Sequence, residues 1–272
     1  MDFSILISPS LGILVGILMG LTGAGGGILS VPLLVFALHL PVAEAAPISL
    51  SAIALAAGVG ALLGFKNNIL RYKAAGLMAI FGLLFSPIGL WLAGKIPNGP
   101  LLIIFSTILF YVSIRLYRQA HKAIHGIADF DNKPPPPCLL DKSVGKLAWN
   151  VPCARALMFS GGLAGLLSGL LGVGGGFAIV PALKRYTDLP TKSVVATSLG
   201  VLAIVASGGT LFSVISGKFD LAIATPFATG ALAGLLVGRS IGKKLSGPRL
   251  QQLFAITAFA VAISLLFKGF HS

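Results

Sequence analysis

Charge is scarce in this chain, and negative charge is scarcest. Charged residues make up 10% of the 272 positions, with seven acids against twenty lysines and arginines, a formal net charge of +13. The acids (Asp2, Glu44, Asp129, Asp131, Asp141, Asp188, Asp220) all fall in loops or at helix ends, as do His39, His121, His125 and His271. No apolar run carries a carboxylate or imidazole at its middle, so a carboxylate proton relay is not legible. Paired catalytic carboxylates, a Ser-His-Asp set and metal-ligand spacing are missing as well, and the sequence predicts no enzyme, no metal and no cofactor. Cysteine is limited to Cys138 and Cys153, fifteen residues apart. This spacing fits neither a zinc pattern nor a disulfide framework, and two free thiols are the expectation. The lysines and arginines sit between apolar runs without interleaved aromatics, which points to membrane topology rather than to nucleic acid.

Apolar sequence is abundant. Hydrophobic residues account for 56% of the chain and the mean hydropathy is +0.97. Several runs approach the roughly 20 apolar residues that cross a bilayer. The reading is an all-α polytopic membrane protein whose environment is a lipid bilayer. The first run, from Phe3, has neither a basic flank nor a small-residue cleavage site and reads as mature structure.

Two glycine-rich stretches organise the chain, one at Gly23, Gly25, Gly26 and Gly27, the other at Gly172, Gly174, Gly175 and Gly176, each followed by a proline (Pro32, Pro181) five residues on. They lie 149 residues apart, and at that offset Pro41, Ser49, Gly60, Gly89 and Lys95 also fall on Pro190, Ser198, Gly209, Gly238 and Lys244. The chain is an internal duplication: repeat 1 over 1–118, a polar loop over 119–155 with Pro134 to Pro137 expected to be extended, and repeat 2 over 156–272. If each glycine-interrupted segment is one full span, the repeats are parallel, and twelve basic residues lie inside with eight outside. If it is a re-entrant hairpin, the repeats are inverted, and seventeen lie inside with only Lys95, Lys218 and Lys268 outside. The positive-inside rule favours inversion. The expected fold is therefore two inverted repeats, each a glycine-broken re-entrant helical hairpin plus three transmembrane helices, with the central loop cytoplasmic. Ser4 to Leu21 spans about 27 Å as a helix, so the first arm dips well past the midplane.

Glycine clusters open a helix, and backbone groups freed at membrane depth must face protein, a cavity or a ligand. The renewed helices, expected to start at Ile28 and Phe177, present N–H groups and partial positive charge, which suit an anion without any basic side chain. Thr22, Ser30 and Ser168 add hydroxyls near the breaks, and Ser49 and Ser198 follow at repeat-related positions. For each hydroxyl, close helix packing is as good an explanation as contact. The basic residues read as topological determinants, and the turn Asn67, Asn68, Arg71 as a helix end.

The duplicated glycine motif with its proline, an eight-segment chain of this length and the polar turn from Asn68 to Arg71 together resemble the TauE/SafE family of sulfite-exporter-like permeases. The second half departs from that turn, reading Gly217, Lys218, Phe219, Asp220. The resemblance implies transport of small sulfur-containing anions such as sulfite, thiosulfate or organosulfonates across the bacterial inner membrane. Expected partners are that small anionic substrate and a coupling ion, proton or sodium. A passive anion channel, or a membrane scaffold using the basic loop, are the other readings the residues admit.

Overall fold

The computed structural model describes residues 3–125, 136–141, 146–147, 150–217, 219–245 and 248–270. Side chains are described for fewer, so Thr22, Gly23 and Gly25 are placed by their backbone only. Asp2, Asp129, Asp131, Pro134, Pro135 and His271 lie outside the described residues, and the expectations that rest on them go with them.

The first half comprises α1 (Phe3–Thr22), a 3-10 segment (Gly23–Leu29), α2 (Ser30–Ala37), α3 (Val42–Lys66), α4 (Tyr72–Ala93) and α5 (Asn98–Ile124). A two-residue hairpin, β1 (Leu140–Asp141) on β2 (Lys146–Leu147), sits in the central segment. The second half comprises α6 (Val151–Leu171), α7 (Gly176–Tyr186), α8 (Thr191–Ile215), α9 (Leu221–Leu245) and α10 (Pro248–Phe270). Among the described residues seven helices, α3 to α6 and α8 to α10, are long and apolar enough to cross a membrane, while α1 and α2 offer shorter apolar stretches.

Local sequence sets the ends. Pro41 and Pro190 hold extended backbone immediately before α3 and α8, which suits proline's fixed φ and missing N–H. Asn98 Oδ1 accepts from the Val42 N–H (3.1 Å), and Asn150 caps α6 by accepting from the Cys153 N–H (2.8 Å). After α3, Asn67 and Asn68 end the helix as expected, with Asn68 at φ 55°.

Between helices in lipid the hydrophobic effect supplies little attraction, so close packing must supply it, and small residues allow that. Gly12, Gly16 and Gly20 of α1 lie on the backbone of α9, while Gly230, Gly234 and Gly238 of α9 lie on that of α1. A Cβ at Gly16 would stand 2.0 Å from the Ala231 carbonyl oxygen, and one at Gly234 2.1 Å from that of Ile13. The residues 149 positions on, Gly161, Gly165 and Gly169 of α6, pack on α4 in the same way. In both pairs the residue numbers rise together, so α1 runs parallel to α9 and α6 parallel to α4.

The other two pairings run the opposite way. Along α3 and α8, Leu50 meets Gly209, Gly60 meets Leu199 and Gly64 meets Ala196. Along α5 and α10, Gly99 meets Gly269, Phe110 stacks on Phe259 (4.9 Å), and Gln251 donates to Gln119 (3.4 Å). Both pairs are antiparallel. The buried core gathers on α3 and α8 and the segments they enclose, with Leu34, Ile53, Val173 and Leu202 each 1% exposed or less.

The expectation of two free thiols is wrong. Cys138 and Cys153 form a disulfide, with Cα atoms 5.0 Å apart and both residues fully buried. The β1–β2 hairpin doubles the chain back so that residues distant in sequence meet. The Cys138 N–H also donates to the Tyr186 carbonyl (3.0 Å), which ties the central segment to the end of α7. Spacing alone does not reveal this, because the pairing is made by a chain reversal that a count of residues between the cysteines does not describe.

Two expectations follow. Gly165→Ala places its Cβ 2.2 Å from the Gly82 carbonyl oxygen and lowers stability by about 1–3 kcal/mol. Gly58→Ala, with nothing within 4 Å, is neutral or gains up to about 1 kcal/mol of helix propensity; thermal melts in one detergent compare them. Maleimide labelling of the denatured protein is absent before reduction and reaches two thiols after it.

Candidate functional site

Each glycine stretch folds the chain back on the arm that leads to it. A Cβ at Gly26 would stand 2.3 Å from the Met19 nitrogen, and one at Gly175 would stand 2.5 Å from the Ala164 oxygen. In an unbroken helix, residues seven and eleven apart are separated by roughly 10 Å and 16 Å of axial rise. The first arm reaches deep, since Gly20 lies against the backbone of Leu235 and Arg239, near the end of α9.

The two breaks are built differently. In the second half Gly172, Gly174 and Gly175 take φ of 68°, 74° and 70°, a region that costs a side-chain-bearing residue roughly 1–2 kcal/mol. In the first half the chain passes through the 3-10 segment instead. The expected helix starts therefore shift. The second lies at Gly176, one residue before Phe177, and the first lies at Ser30, two beyond Ile28. The 3-10 turns keep Ile28 and Leu29 bonded locally, which sequence period alone does not reveal.

The breaks meet. Gly27 faces the Val173 carbonyl oxygen, 3.3 Å from where its Cβ would stand, and Gly172 packs on Ala46. Ser49 joins them: its Oγ lies 2.6 Å from the Gly172 carbonyl oxygen and also contacts the Ser30 Oγ, which itself lies 2.6 Å from the Gly27 carbonyl oxygen. Two hydroxyl protons serve these three contacts. When Ser49 donates to Gly172, Ser30 donates either to Ser49 or to Gly27. Ser30 and Ser49 are fully buried, and their hydrogen bonds are made to each other and to backbone carbonyls of the two breaks.

The repeat-related Ser198 is also buried but bonds the Val195 carbonyl of its own helix (2.9 Å). The neighbouring Thr197 accepts from the Arg71 N–H (3.1 Å), which ties the turn after α3 to α8. Ser168 lies one turn before the second break, fully buried, and its hydroxyl has no hydrogen-bond partner among the described residues; Ser86 on α4 is alike in both respects. The side chain of Thr22 and the surroundings of Gly23 and Gly25 lie outside the described residues.

A cavity of about 1230 Å³ adjoins this arrangement. It is lined by Gly20, Leu21 and Ile28 beside the first break and by Gly176 and Phe177 at the second. α7 forms one wall, from Gly176 to Lys184, Arg185 and Tyr186, a rise of about 15 Å. Arg115, Lys192 and Arg239 line it together with Lys184 and Arg185, as do Gln119 and Gln251, and no acid is among the described lining residues. Low-dielectric walls lined by one sign of charge concentrate ions of the other sign. These five cations were assigned by sequence to topology alone. The available signal was that all five belong to the face the inverted arrangement predicts to be inside.

The opposite face differs. Lys268 of α10 donates to the Val35 carbonyl in the last turn of α2 (2.9 Å) and lies over the Phe36 ring (5.2 Å). At the repeat offset Val35 and Lys268 correspond to Lys184 and Gln119, both of which line the open cavity. Equivalent positions are hydrogen-bonded at one end of the molecule and line the cavity at the other.

A family model described as sulfite exporter TauE/SafE matches residues 9–265. A probable membrane transporter protein of Xylella fastidiosa is 28% identical, covering 99% of this chain and 97% of its own. The probable membrane transporter protein YunE of Bacillus subtilis is 26% identical with both chains covered in full. A probable membrane transporter protein of Methanocaldococcus jannaschii is 27% identical over 86% of each chain.

One measurement addresses the bridge between the breaks. Ser49→Ala removes the donor to Gly172 and leaves a buried carbonyl short of a partner. The expected loss is about 1–3 kcal/mol in a thermal or denaturant melt, whereas Ser198→Ala, whose bond stays within its own helix, loses less.

Proposed function

The chain belongs to the sulfite exporter TauE/SafE family of membrane transporters, and we propose that it is a secondary transporter of small sulfur-containing anions, held between its two glycine breaks. The observation that carries the reading is one cavity lined by residues beside both breaks, Ile28 and Gly176 among them, and by five cations with no described acid. Cations at the rim raise the local concentration of an anion. Backbone N–H groups at the start of α7, with the buried Ser168 hydroxyl close by in sequence, supply donors that need no charged side chain at depth. The proposed contacts are those predicted from sequence: the break glycines, Thr22, Ser30, Ser49, Ser168 and Ser198, of which Ser30, Ser49 and Ser198 must first release the hydrogen bonds they donate here. Nothing in this scheme calls for an enzyme's nucleophile, metal or cofactor.

The proposed arrangement is two inverted repeats, and the helix pairings support it. Parallel repeats make α3 and α8, and likewise α5 and α10, run the same way; inverted repeats make them run oppositely, and the antiparallel contact order along both pairs supports that reading. The same duplication supports alternating access. The cavity opens on the basic face while Lys268 holds α2 at the other end, so exchanging these two conditions would carry the site from one side to the other.

The basic face is the cytoplasmic one in this reading, in a bacterial inner membrane. The disulfide argues the other way, because disulfides persist best in oxidising compartments. Charge outweighs it. Seventeen of twenty basic residues share the inner side in the inverted arrangement, whereas both cysteines are fully buried and thiol exchange needs access to the sulfurs.

Reconstitution in liposomes tests the function. Saturable uptake of labelled sulfite, thiosulfate or a small sulfonate is expected, together with trans-acceleration by unlabelled substrate inside. Uptake falls at least tenfold in a folded Gly26→Leu, Gly175→Leu double variant and several-fold at low substrate in Arg239→Gln. Saturation without trans-acceleration would identify a channel, and failure of all three anions under proton and sodium gradients would remove the substrate assignment.

A further inference from the structure

We propose that Lys268 and Gln119 are the two halves of one exchanging latch. Lys268 holds the end of α2 in the conformation of this structure, and when the cavity closes Gln119 takes the same hold on the end of α7, at the Lys184 carbonyl. The inference rests on the inverted repeats and alternating access proposed above, and it assigns the positioning residues that make the exchange.

The half that is closed has a physical cause. The last carbonyls of a helix have no partner within it, and the negative end of its dipole attracts a cation. At the end of α2 the Leu38 N–H donates to the Leu34 carbonyl (3.0 Å), and the chain then turns at His39 with φ 56°. The next carbonyl, that of Val35, is met by the Lys268 ammonium (2.9 Å), which also lies over the Phe36 ring (5.2 Å). Beside Lys268, Gly269 packs on Leu102 and Gly99 of α5, so the contact ties α2 to the α5–α10 pair.

The repeat supplies the other half. α7 ends as α2 does, with the Thr187 N–H donating to the Leu183 carbonyl (2.9 Å), and the Lys184 carbonyl, equivalent to that of Val35, is next along the helix. Lys184 and Gln119 both line the cavity, so closing it brings the end of α5 onto the end of α7. Gln119 now accepts from Gln251 through Oε1 (3.4 Å), and its own amide N–H groups take no part in that bond. Glutamine suits this place better than lysine. The last turn of α7 carries Lys184 and Arg185, which repel an incoming ammonium, whereas the end of α2 at Phe36 and Ala37 carries no charge. A charged donor bonds more strongly than a neutral one, so the two halves are unequal and favour the conformation that Lys268 holds.

Two added cysteines, one at a time, read the exchange in the purified full-length protein, whose own cysteines are paired. Val180 on α7 lines the cavity, and its equivalent on α2, Val31, is fully buried. With the latch intact, Val180→Cys reacts with a small water-soluble maleimide faster than Val31→Cys. Lys268→Met slows the first and speeds the second, changing the ratio of the rates about tenfold. Lys268→Arg, which keeps a charged donor, preserves the ratio, and Gln119→Leu added to Lys268→Met returns it toward the original value. A ratio unmoved by Lys268→Met overturns the proposal, as does a rise of both rates together, the mark of a loosened fold. A ratio indifferent to Gln119→Leu overturns the exchange. Equal and rapid reaction at both positions before Lys268 is changed is the behaviour of an open channel and defeats the alternating-access reading itself, while the uptake assay tests the cargo separately.

Discussion

Contact of backbone with backbone, made possible by glycine, is the interaction on which the rest of this structure depends. Lipid tails are as apolar as leucine, so helices in a bilayer gain little by hiding side chains from it. They gain by close approach. At the α1–α9 and α4–α6 pairs, hydrogen atoms stand where any side chain would collide with a carbonyl of the neighbour, as at Gly16 and Gly169, where a Cβ would lie 2.0 Å from one. Both pairs include the arm that leads into a glycine break, so the close packing fixes how deeply each arm reaches and where the chain turns.

The break then meets a second constraint, that polar backbone groups at membrane depth need partners. The two halves meet it with different local structure. One uses three glycines with positive φ, the other a 3-10 segment, and Ser49 stitches them together by donating to the second break while contacting Ser30 of the first. Near-identical glycine motifs have thus become unequal in conformation while staying in contact. The inequality extends outward, to a lysine-to-carbonyl contact at one end of the molecule and an open, cation-rimmed cavity at the other.

Much of this was legible in the residues. Apolar runs gave the helices because their length matches a bilayer. Positions such as Pro41 and Pro190 gave helix starts, because proline restricts its own φ and lacks a donor. The identical spacing of Gly23–Gly27 and Gly172–Gly176 gave the duplication and directed attention to the breaks. What failed did so for identifiable reasons. The thiols of Cys138 and Cys153 looked free because their pairing needs a hairpin and a hydrogen bond to Tyr186, both products of tertiary contact. The rim cations looked purely topological because the charge rule already accounted for them. The helix starts slipped by one or two residues because a glycine run does not declare which turn it will adopt.

The sequence by itself determined the membrane class, the number and order of the segments, the duplication and the family, since each of these is written in composition, period or motif and survives without knowledge of any contact. Only the tertiary structure decided which helices lie side by side and in which direction, that Ser49 joins the two breaks, that a disulfide fastens the central segment to the start of α6 while a backbone hydrogen bond ties it to the end of α7, and that residues at both breaks line one cavity. Several of those features join residues of different elements across more than a hundred positions of chain, Ser49 to Gly172 and Lys268 to Val35 among them, and a one-dimensional pattern fixes the spacing of residues along an element but not the element against which they come to rest.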